Sequence, residues 1–206
     1  MIFEMRTYLL KPGTAPKAEE LFGEMLPGRA KLSRIAGFWR TEVGTLNQII
    51  HIWPYESSAE RDRIRAEAIK TGVWPPKIAD FVIEMESKIM LAAPFSPAFE
   101  PGEHGGLYEF RTYTYGPGAI PKVIEAWSPR IKARSAVSPL IFAGYTDVGA
   151  LNQWIHVWAY KNMGERETLR AKAMNPGQWP PPRHESVTLH RQQSTFAIPA
   201  KWSPLR

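Results

Sequence analysis

The sequence predicts an α+β protein made of two tandem ferredoxin-like repeats, each with the element order βαββαβ. The first observation is an internal repeat: Asn-Gln-Ile-Ile-His-Ile-Trp-Pro-Tyr at Asn47–Tyr55 returns 105 residues later as Asn-Gln-Trp-Ile-His-Val-Trp-Ala-Tyr. The second is that the same offset relates Glu4 to Glu109, Arg6 to Arg111, Tyr8 to Tyr113, Arg61 to Arg166 and Trp74 to Trp179. The third is the order of strand and helix patterns within each copy. A period this long indicates a duplicated domain rather than a solenoid, and we expect its register to stay constant throughout.

The first half of each repeat is predicted as a strand followed by a helix. Apolar and polar residues alternate over Ile2–Leu10, as in a strand with two different faces. Lys11-Pro12-Gly13 has turn chemistry, and Pro16 suits the first turn of the helix that follows. Pro27-Gly28 is expected to kink or interrupt this helix.

The second half is predicted as a hairpin, a helix and a last strand. Phe38–Gly44 and Gln48–Tyr55 are strands joined by a short turn, which favours an antiparallel pair. Ser57 and Glu60 form a capping box for the next helix, as Asn162 and Glu165 do in the second copy. Ala79–Leu91 alternates as a fourth strand. The predicted domains are residues 1–95 and 106–198, joined by a Pro- and Gly-rich linker at 96–105 and followed by a short tail.

Composition excludes several classes of protein. The chain of 206 residues contains no cysteine, which rules out disulfides, thiolate nucleophiles and Cys-ligated metals. Its first residues do not form a signal peptide, and no apolar run approaches the roughly 18 residues of a membrane span. We therefore expect a soluble cytoplasmic protein with no membrane partner.

Charge is distributed unevenly along the chain. Residues 1–103 carry 13 basic and 14 acidic side chains, whereas residues 104–206 carry 13 and 6, within a total net charge of +6. A basic half is compatible with an anionic partner, and also with an ordinary solvated surface. Because the basic residues are scattered and no nucleic-acid motif accompanies them, we predict no nucleic-acid partner.

Each strand has one apolar face and one face that is polar and aromatic. Phe3 and Met5 share the apolar face of the first strand, and Ile50 and Ile52 that of the third. Helices must cover one face of each sheet, and the apolar faces are the natural choice. We therefore expect the opposite faces of the two sheets to meet and to enclose a partly polar interior.

Two motifs, repeated in both copies, resemble the NIPSNAP family. They are Glu-x-Arg-x-Tyr at Glu4–Tyr8 and Asn-x-x-x-His-x-Trp-x-Tyr at Asn47–Tyr55, accompanied by Pro12-Gly13, Arg61 and Trp74. The resemblance covers essentially the whole chain. It implies the dimeric α/β-barrel fold, here as an intrachain pseudo-twofold barrel to which one chain supplies both halves. Barrel relatives include cofactor-independent monooxygenases, isomerases and haem enzymes, so the fold alone does not assign a function.

Glu4 and Glu109 are candidate catalytic residues because each shares a strand face with an arginine and a tyrosine. In the functional interpretation Arg6 and Tyr8, and their copies Arg111 and Tyr113, hold an anionic ligand while a carboxylate transfers a proton. In the structural interpretation these groups are buried and satisfy one another. Both interpretations remain open at this point.

His51 and His156 are the other catalytic candidates, because an imidazole ordinarily titrates near neutral pH. The same strand faces carry four candidate ligand-binding aromatic residues, Trp53, Tyr55, Trp158 and Tyr160. A histidine satisfied within the core is the alternative. One repeated histidine per copy does not make a metal site, and we predict neither a metal nor a cofactor.

The two copies differ most in the last strand. With a constant offset, Glu84, Met85 and Glu86 become Leu189, His190 and Arg191, which removes negative charge and adds donors. His190 is therefore a further ligand-binding candidate. Arg61 and Arg65 lie one helical turn apart, as do their copies Arg166 and Arg170, and either bind phosphate or bridge nearby carboxylates.

Two functions are consistent with this pattern. In the first, the protein binds a small organic molecule in a polar and aromatic barrel interior and acts on it by acid/base chemistry. In the second, it is a non-catalytic interaction or structural protein with a filled barrel core. A pocket lined by Tyr8, His51 and Trp53 favours the first, and paired Glu–Arg groups in a filled barrel favour the second. Both leave open a homodimer of the two-repeat chain.

Overall fold

The computed structural model describes residues 1–174 and 179–206. The first repeat runs β1 (Ile2–Leu10), α1 (Ala15–Ala30), β2 (Gly37–Val43), β3 (Gln48–Tyr55), α2 (Ser58–Lys70) and β4 (Val82–Ala92). The second repeat runs β5 (Leu107–Tyr115), α3 (Ile120–Trp127), α4 (Ile131–Ser135), β6 (Leu140–Val148), β7 (Gln153–Tyr160), α5 (Met163–Ala173) and β8 (Leu189–Pro199). The predicted βαββαβ order is confirmed in both halves.

Local signals fix most helix and strand ends. Ser57 and Asn162 accept hydrogen bonds from the backbone N–H groups of Glu60 and Glu165, at 3.2 and 2.9 Å, so both predicted caps are confirmed. The expectation at Pro27 was wrong in part, because α1 continues through Pro27 to Ala30 without interruption. So close to the helix end, proline removes few intrahelical hydrogen bonds.

The eight strands close into a single antiparallel barrel. Their order is β1-β3-β2-β8-β5-β7-β6-β4, with β4 returning to β1. Each repeat contributes four adjacent strands, and the repeats are joined where β2 pairs with β8 and β4 pairs with β6. The predicted intrachain barrel with pseudo-twofold symmetry is therefore confirmed.

The segment after the last strand of each repeat crosses to the other repeat. Ala93 donates its N–H to the carbonyl oxygen of Ala143, whose own N–H donates to Ser96 Oγ, at 2.9 and 3.0 Å. Ala200 and Ser203 make the same two bonds with Phe38, both at 3.0 Å. These exchanged arms, residues 93–96 and 200–203, reinforce both junctions between the repeats. The first spans the predicted boundary between the first domain and the linker, and the second lies in the predicted tail.

The expected orientation of the strand faces was wrong. The barrel interior holds the apolar faces of both repeats, in one cluster that includes Phe3, Met5, Ile50, Ile52, Phe110, Ile155 and Val157. Tyr8, His51 and Trp53 lie outside the barrel, in a separate cluster with Phe22 of α1. A closed barrel shields its interior from water, so the face with fewest hydrogen-bonding groups turns inward. The polar and aromatic faces instead lie under helices that carry hydrogen-bonding side chains.

The centre of the barrel is filled by one large ring from each repeat. Trp39 covers Gly37 in β2, and Phe142 covers Gly144 in β6. A Cβ atom added at Gly144 would lie 2.6 Å from Phe142 Cζ, and closer still to the carbonyl oxygen of Leu91. A cavity of about 130 Å³ remains at one end of the interior, where both repeats contribute polar or charged side chains: Thr7, Thr45, Gln48, Glu86, Lys88, Thr112, Gln153, Gln193 and Thr195.

The constant register expected from the sequence fails at the last strand. Arg6 lies opposite Ser87 in the β1–β4 pair, and Arg111 lies opposite Ser194 in the β5–β8 pair, so the offset there is 107. Gln192 is therefore the structural counterpart of Met85, in place of His190, and Arg191 is that of Glu84, in place of Leu189. The two additional residues lie between Pro181 and β8. Strand side chains alternate with a period of two, so a shift of two residues leaves each β8 side chain on the side of the sheet that the unshifted register would give it.

The fragment Met1–Phe99, expressed alone, should self-associate. It would expose the apolar inner face and the edges of β2 and β4 that pair with the second repeat. Analytical ultracentrifugation measures this directly. A stable monomer at micromolar concentration would contradict the dependence of each half on the other.

Replacing Gly144 with alanine should lower the free energy of unfolding by about 1–3 kcal/mol, because the added methyl group has no room. Gly164→Ala is the matched control. A Cβ atom there meets only Asn162 Oδ1, at 3.4 Å, and alanine favours the helix, so stability should stay equal or rise. Urea denaturation of both variants tests the packing, and equal effects would disprove it.

Candidate functional site

Glu4 is the centre of a buried ion cluster between β1, β4 and α2. Its Oε1 accepts hydrogen bonds from Arg6 at 2.9 Å, Arg61 at 2.6 Å and Ser87 at 2.8 Å, and the side chain is fully buried. Arg65 approaches the other carboxylate oxygen at 3.8 Å. Charge-assisted bonds of this kind offset the cost of burying the carboxylate.

The second repeat reproduces this cluster around Glu109. Arg111, Arg166 and Ser194 donate to Glu109 Oε1 at 2.6, 2.8 and 2.7 Å. Burial raises the pKa of each glutamate, but the bonds from Arg61 and Arg166 and the charges of Arg6 and Arg111 outweigh it and lower the pKa to about 2. Carboxylates this acidic are weak proton acceptors at neutral pH, which agrees with the structural interpretation of the Glu–Arg pairs.

The tyrosines of the same motif orient the arginines. Arg6 Nε donates to the hydroxyl oxygen of Tyr8 at 2.6 Å, and Arg111 Nε donates to that of Tyr113 at 2.8 Å. Each motif arginine is therefore held between a carboxylate and a phenol on its own strand face. Glu, Arg and Tyr at alternate positions form one hydrogen-bonded row, as the alternation in the sequence predicts.

Each repeated histidine is a neutral ring held by a tryptophan. Trp53 Nε1 donates to His51 Nδ1 at 2.6 Å, and Trp158 Nε1 donates to His156 Nδ1 at the same distance. A neutral imidazole whose Nδ1 accepts carries its proton on Nε2. Among the residues that the structure describes, neither Nε2 has a partner, although both atoms are buried. The fold therefore places one unsatisfied N–H donor in each repeat.

Burial removes the histidines from the physiological titration range. Desolvation, reinforced by the charge of Arg6, lowers the pKa of His51 to about 3. Desolvation and the charge of Arg111 lower that of His156 well below its ordinary value. The premise of titration near neutral pH is therefore wrong for both, and at pH 7 they can donate a hydrogen bond but do not carry a proton to a substrate.

A cavity of about 290 Å³ lies in the second repeat, outside the barrel and beside His156. It is enclosed by β5, β7, β8, the ends of α3, α4 and α5, and the segment Trp179–Pro181. Its aromatic lining residues are Tyr113, Tyr115, Trp127, Trp158 and Trp179, and its cationic lining residues are Arg111, Arg134, Arg170 and Arg183. Of the sequence-predicted candidates, the fold brings together Arg111, Tyr113, His156 and Trp158 here.

Other predicted site residues lie elsewhere. Tyr160 is buried in the second-repeat core and does not line the cavity, and Tyr55 accepts a hydrogen bond from Arg29 at 3.1 Å. His190 is exposed beside Gly116 and does not line this cavity. Gln192 lies opposite Tyr113 and lines the cavity instead.

In the first repeat, aromatic side chains pack around the equivalent imidazole. Phe38 stacks on His51 with ring centroids 5.8 Å apart, Phe22 lies at 5.2 Å, and Trp202 of the exchanged arm covers Phe38 at 4.7 Å. The counterpart of Phe38 is Ala143, which has no ring to stack on His156. The copies therefore differ at the stacked ring: Phe38 covers His51, whereas His156 keeps the contact with Trp127, at 4.8 Å, and lines the cavity.

Arg29 and Arg134 are buried arginines that the sequence analysis did not single out. Their guanidinium carbons lie 4.4 Å above the ring of Trp53 and 4.1 Å above that of Trp158. Burial lowers the pKa of both. The offset of 105 relates these two arginines as it relates the motif residues, so the repeat itself indicates them. Their burial is not evident from the sequence, because an arginine in a helix is ordinarily exposed.

Within residues 1–174 and 179–206, no group of three or more His, Asp or Glu side chains is placed to hold a metal ion. No helix described there is both long and apolar enough to cross a membrane.

Comparison with known proteins identifies a relationship over the whole chain. Residues 3–97 and 108–204 each match the family model described as NIPSNAP. Protein NipSnap homolog 3B of Mus musculus is 30% identical, over 99% of this chain and 85% of its own length. Protein NipSnap homolog 3A of Homo sapiens is 28% identical, over 100% and 86%. A monooxygenase-like protein from Lactobacillus acidophilus superposes with a TM-score of 0.65 over 97% of this chain and 94% of its own, and at 8% identity it shares the fold alone.

The free energy of unfolding should decrease as the pH falls below 6.5. This decrease should begin at a higher pH than any contribution from Glu4 and Glu109. Each buried histidine has a folded-state pKa far below its unfolded value of 6.5, so only the unfolded chain takes up protons as the pH falls. Each should contribute a loss of about 1.4 kcal/mol per pH unit between roughly pH 6 and 4.5. His51→Gln, which can still accept from Trp53, should remove one of the two contributions. Urea denaturation across this range measures the slope, and an unchanged slope in the variant would contradict the assignment.

Proposed function

Because the chain belongs to the NIPSNAP family, and its two repeats carry the family motifs in different surroundings, we propose that it binds a small organic molecule in the cavity of the second repeat. The observation that carries this proposal is the Nε2–H group of His156. It is buried, has no partner among the described residues, and belongs to a side chain that lines a cavity of about 290 Å³.

A buried donor without a partner costs stability. The penalty is about 1–3 kcal/mol for each unsatisfied group, and nearly all buried polar groups in folded proteins find a partner. The cavity is close to the size of small-molecule sites, and its apolar walls surround a few convergent polar groups, as such sites do. A ligand oxygen that reached this Nε2–H would accept its hydrogen bond and remove the penalty, so we expect a ligand that carries an acceptor.

The polar groups of the cavity support binding more than proton transfer. His156 is neutral at pH 7, and Glu109 is ionised and engaged by two arginines and a serine. Neither group is poised to exchange a proton near neutrality. A neutral imidazole N–H can orient and polarise a ligand carbonyl, so the role proposed for His156 is that of a hydrogen-bond donor.

The first repeat has the features of a scaffold. Phe22 and Phe38 pack around His51, and Arg65, unlike its counterpart Arg170, approaches a protein carboxylate within 4.0 Å. The barrel interior is largely filled with apolar side chains. These observations favour the alternative of a structural, non-catalytic role for this half, while the cavity beside His156 supports ligand binding by the other half.

A thermal-shift screen of a metabolite library on three proteins tests the proposal. A ligand at one hundred times its dissociation constant stabilises the native state by about 2.7 kcal/mol, which corresponds to about 5–10 °C for a chain of this size. The proteins are the wild type, His156→Phe and the matched control His51→Phe. Both variants lose the acceptor for one tryptophan N–H, but only His156→Phe alters the cavity.

We expect at least one compound that stabilises the wild type and His51→Phe but not His156→Phe. His156→Gln, which keeps a donor and an acceptor, should recover part of the shift. A compound that stabilises all three proteins equally would bind outside this cavity and would contradict the proposal, as would a library without any stabilising compound.

A further inference from the structure

We propose that the ligand of the second-repeat cavity is an aromatic carboxylate, a class that the proposed function leaves open and on which this inference depends. Three features carry it. The described lining residues include four arginines and no acidic side chain, Arg170 has no carboxylate oxygen within 4.0 Å among the described residues, and five aromatic side chains line the cavity.

The charge of the lining favours an anion. Four arginines line the cavity, and none of its described lining residues is an aspartate or a glutamate. Arg111 is paired with Glu109, which is itself shared with Arg166, so the cluster around that carboxylate has more positive than negative charge. Arg134 has no carboxylate within 4.0 Å among the described residues, and its guanidinium is buried against Trp158. A ligand carboxylate would balance this excess.

Arg170 distinguishes this repeat from the first. Its counterpart Arg65 lies 3.8 Å from Glu4, whereas in the described part of the chain no carboxylate oxygen lies within 4.0 Å of Arg170. Arg170 is half-buried and lines the cavity. The same helical position is therefore directed to a protein carboxylate in one repeat and is available to a ligand carboxylate in the other.

The shape of the walls favours a planar body. Trp127 and Trp179 meet edge to face with centroids 4.8 Å apart, and Trp158 lies 6.3 Å from Trp179. Aromatic rings prefer edge-to-face and offset contacts, which a flat ring in the remaining space can make with these walls. An aliphatic chain would gain the apolar burial without this geometric preference.

The donor set favours a carboxylate over a phosphate. The cavity offers planar guanidinium groups, which can pair with the two coplanar oxygens of a carboxylate. Phosphate sites are typically built from backbone N–H groups of a glycine-rich loop at a helix N-terminus. No glycine is among the described lining residues of this cavity.

Binding of four probes by isothermal titration calorimetry at fixed salt tests the inference. The probes are 2-naphthoate, its neutral amide 2-naphthamide, 2-naphthyl phosphate and the non-aromatic cyclohexanecarboxylate. We expect 2-naphthoate to bind the wild type at least tenfold more tightly than each of the others. Arg170→Gln should weaken 2-naphthoate at least fivefold, and the matched control Arg65→Gln should change its affinity less than twofold.

Equal affinity for naphthoate and naphthamide would overturn the anionic class, and stronger binding of naphthyl phosphate would overturn the choice of carboxylate. Absence of naphthoate binding would overturn the inference altogether. The metabolite screen distinguishes these failures from a failure of the proposed function. A neutral compound that stabilises the wild type but not His156→Phe would support the cavity as a binding site and would refute its preference for carboxylates. Equal losses in Arg170→Gln and Arg65→Gln would show that Arg170 does not contact the anion.

Discussion

Closure of the eight-stranded sheet is the constraint on which the rest of this structure depends. Once β2 pairs with β8 and β4 with β6, the space inside the barrel is largely shielded from solvent. Unpaired polar groups placed there would lose their hydrogen bonds to water without compensation. The apolar faces therefore turn inward, and Trp39 and Phe142 fill the centre over two glycines. Every polar residue of the family motifs is consequently on the outer side of the sheet.

The outer face of the sheet forms a second interior with the helices, and this interior buries charged and polar side chains. Glu4 and Glu109 are tolerated there because the next helix supplies Arg61 and Arg166 at hydrogen-bonding distance. The histidines are tolerated as neutral rings because a tryptophan two residues away donates to Nδ1. Stability and the proposed binding thus depend on the same side chains, and each histidine keeps an Nε2–H without a partner among the described residues.

Duplication within one chain allows the two outer interiors to differ. A symmetric dimer of single repeats would carry the same side chains at both sites. Here Phe38 covers the imidazole of the first repeat, while Ala143 occupies its position in the second. The exchanged arms contribute to this difference, because Trp202 packs on Phe38 whereas Phe95 packs on Trp127. One half can serve as a scaffold while the other retains a cavity.

The repeat, the order of elements, the helix caps and the intrachain barrel could all be predicted from the sequence, because each depends on local pattern or on similarity between the two halves. The same patterns predicted that Arg111, Tyr113, His156 and Trp158 share one face of the sheet, and in the structure all four line one cavity. Which face turned inward could not be predicted, because both faces contain large apolar side chains and only barrel closure distinguishes them. The register of the last strand could not be predicted, because an insertion of two residues preserves the alternation of side chains along the strand. The burial of Arg134 and the pKa of His51 depend on neighbours distant in sequence, so only the tertiary structure decided them.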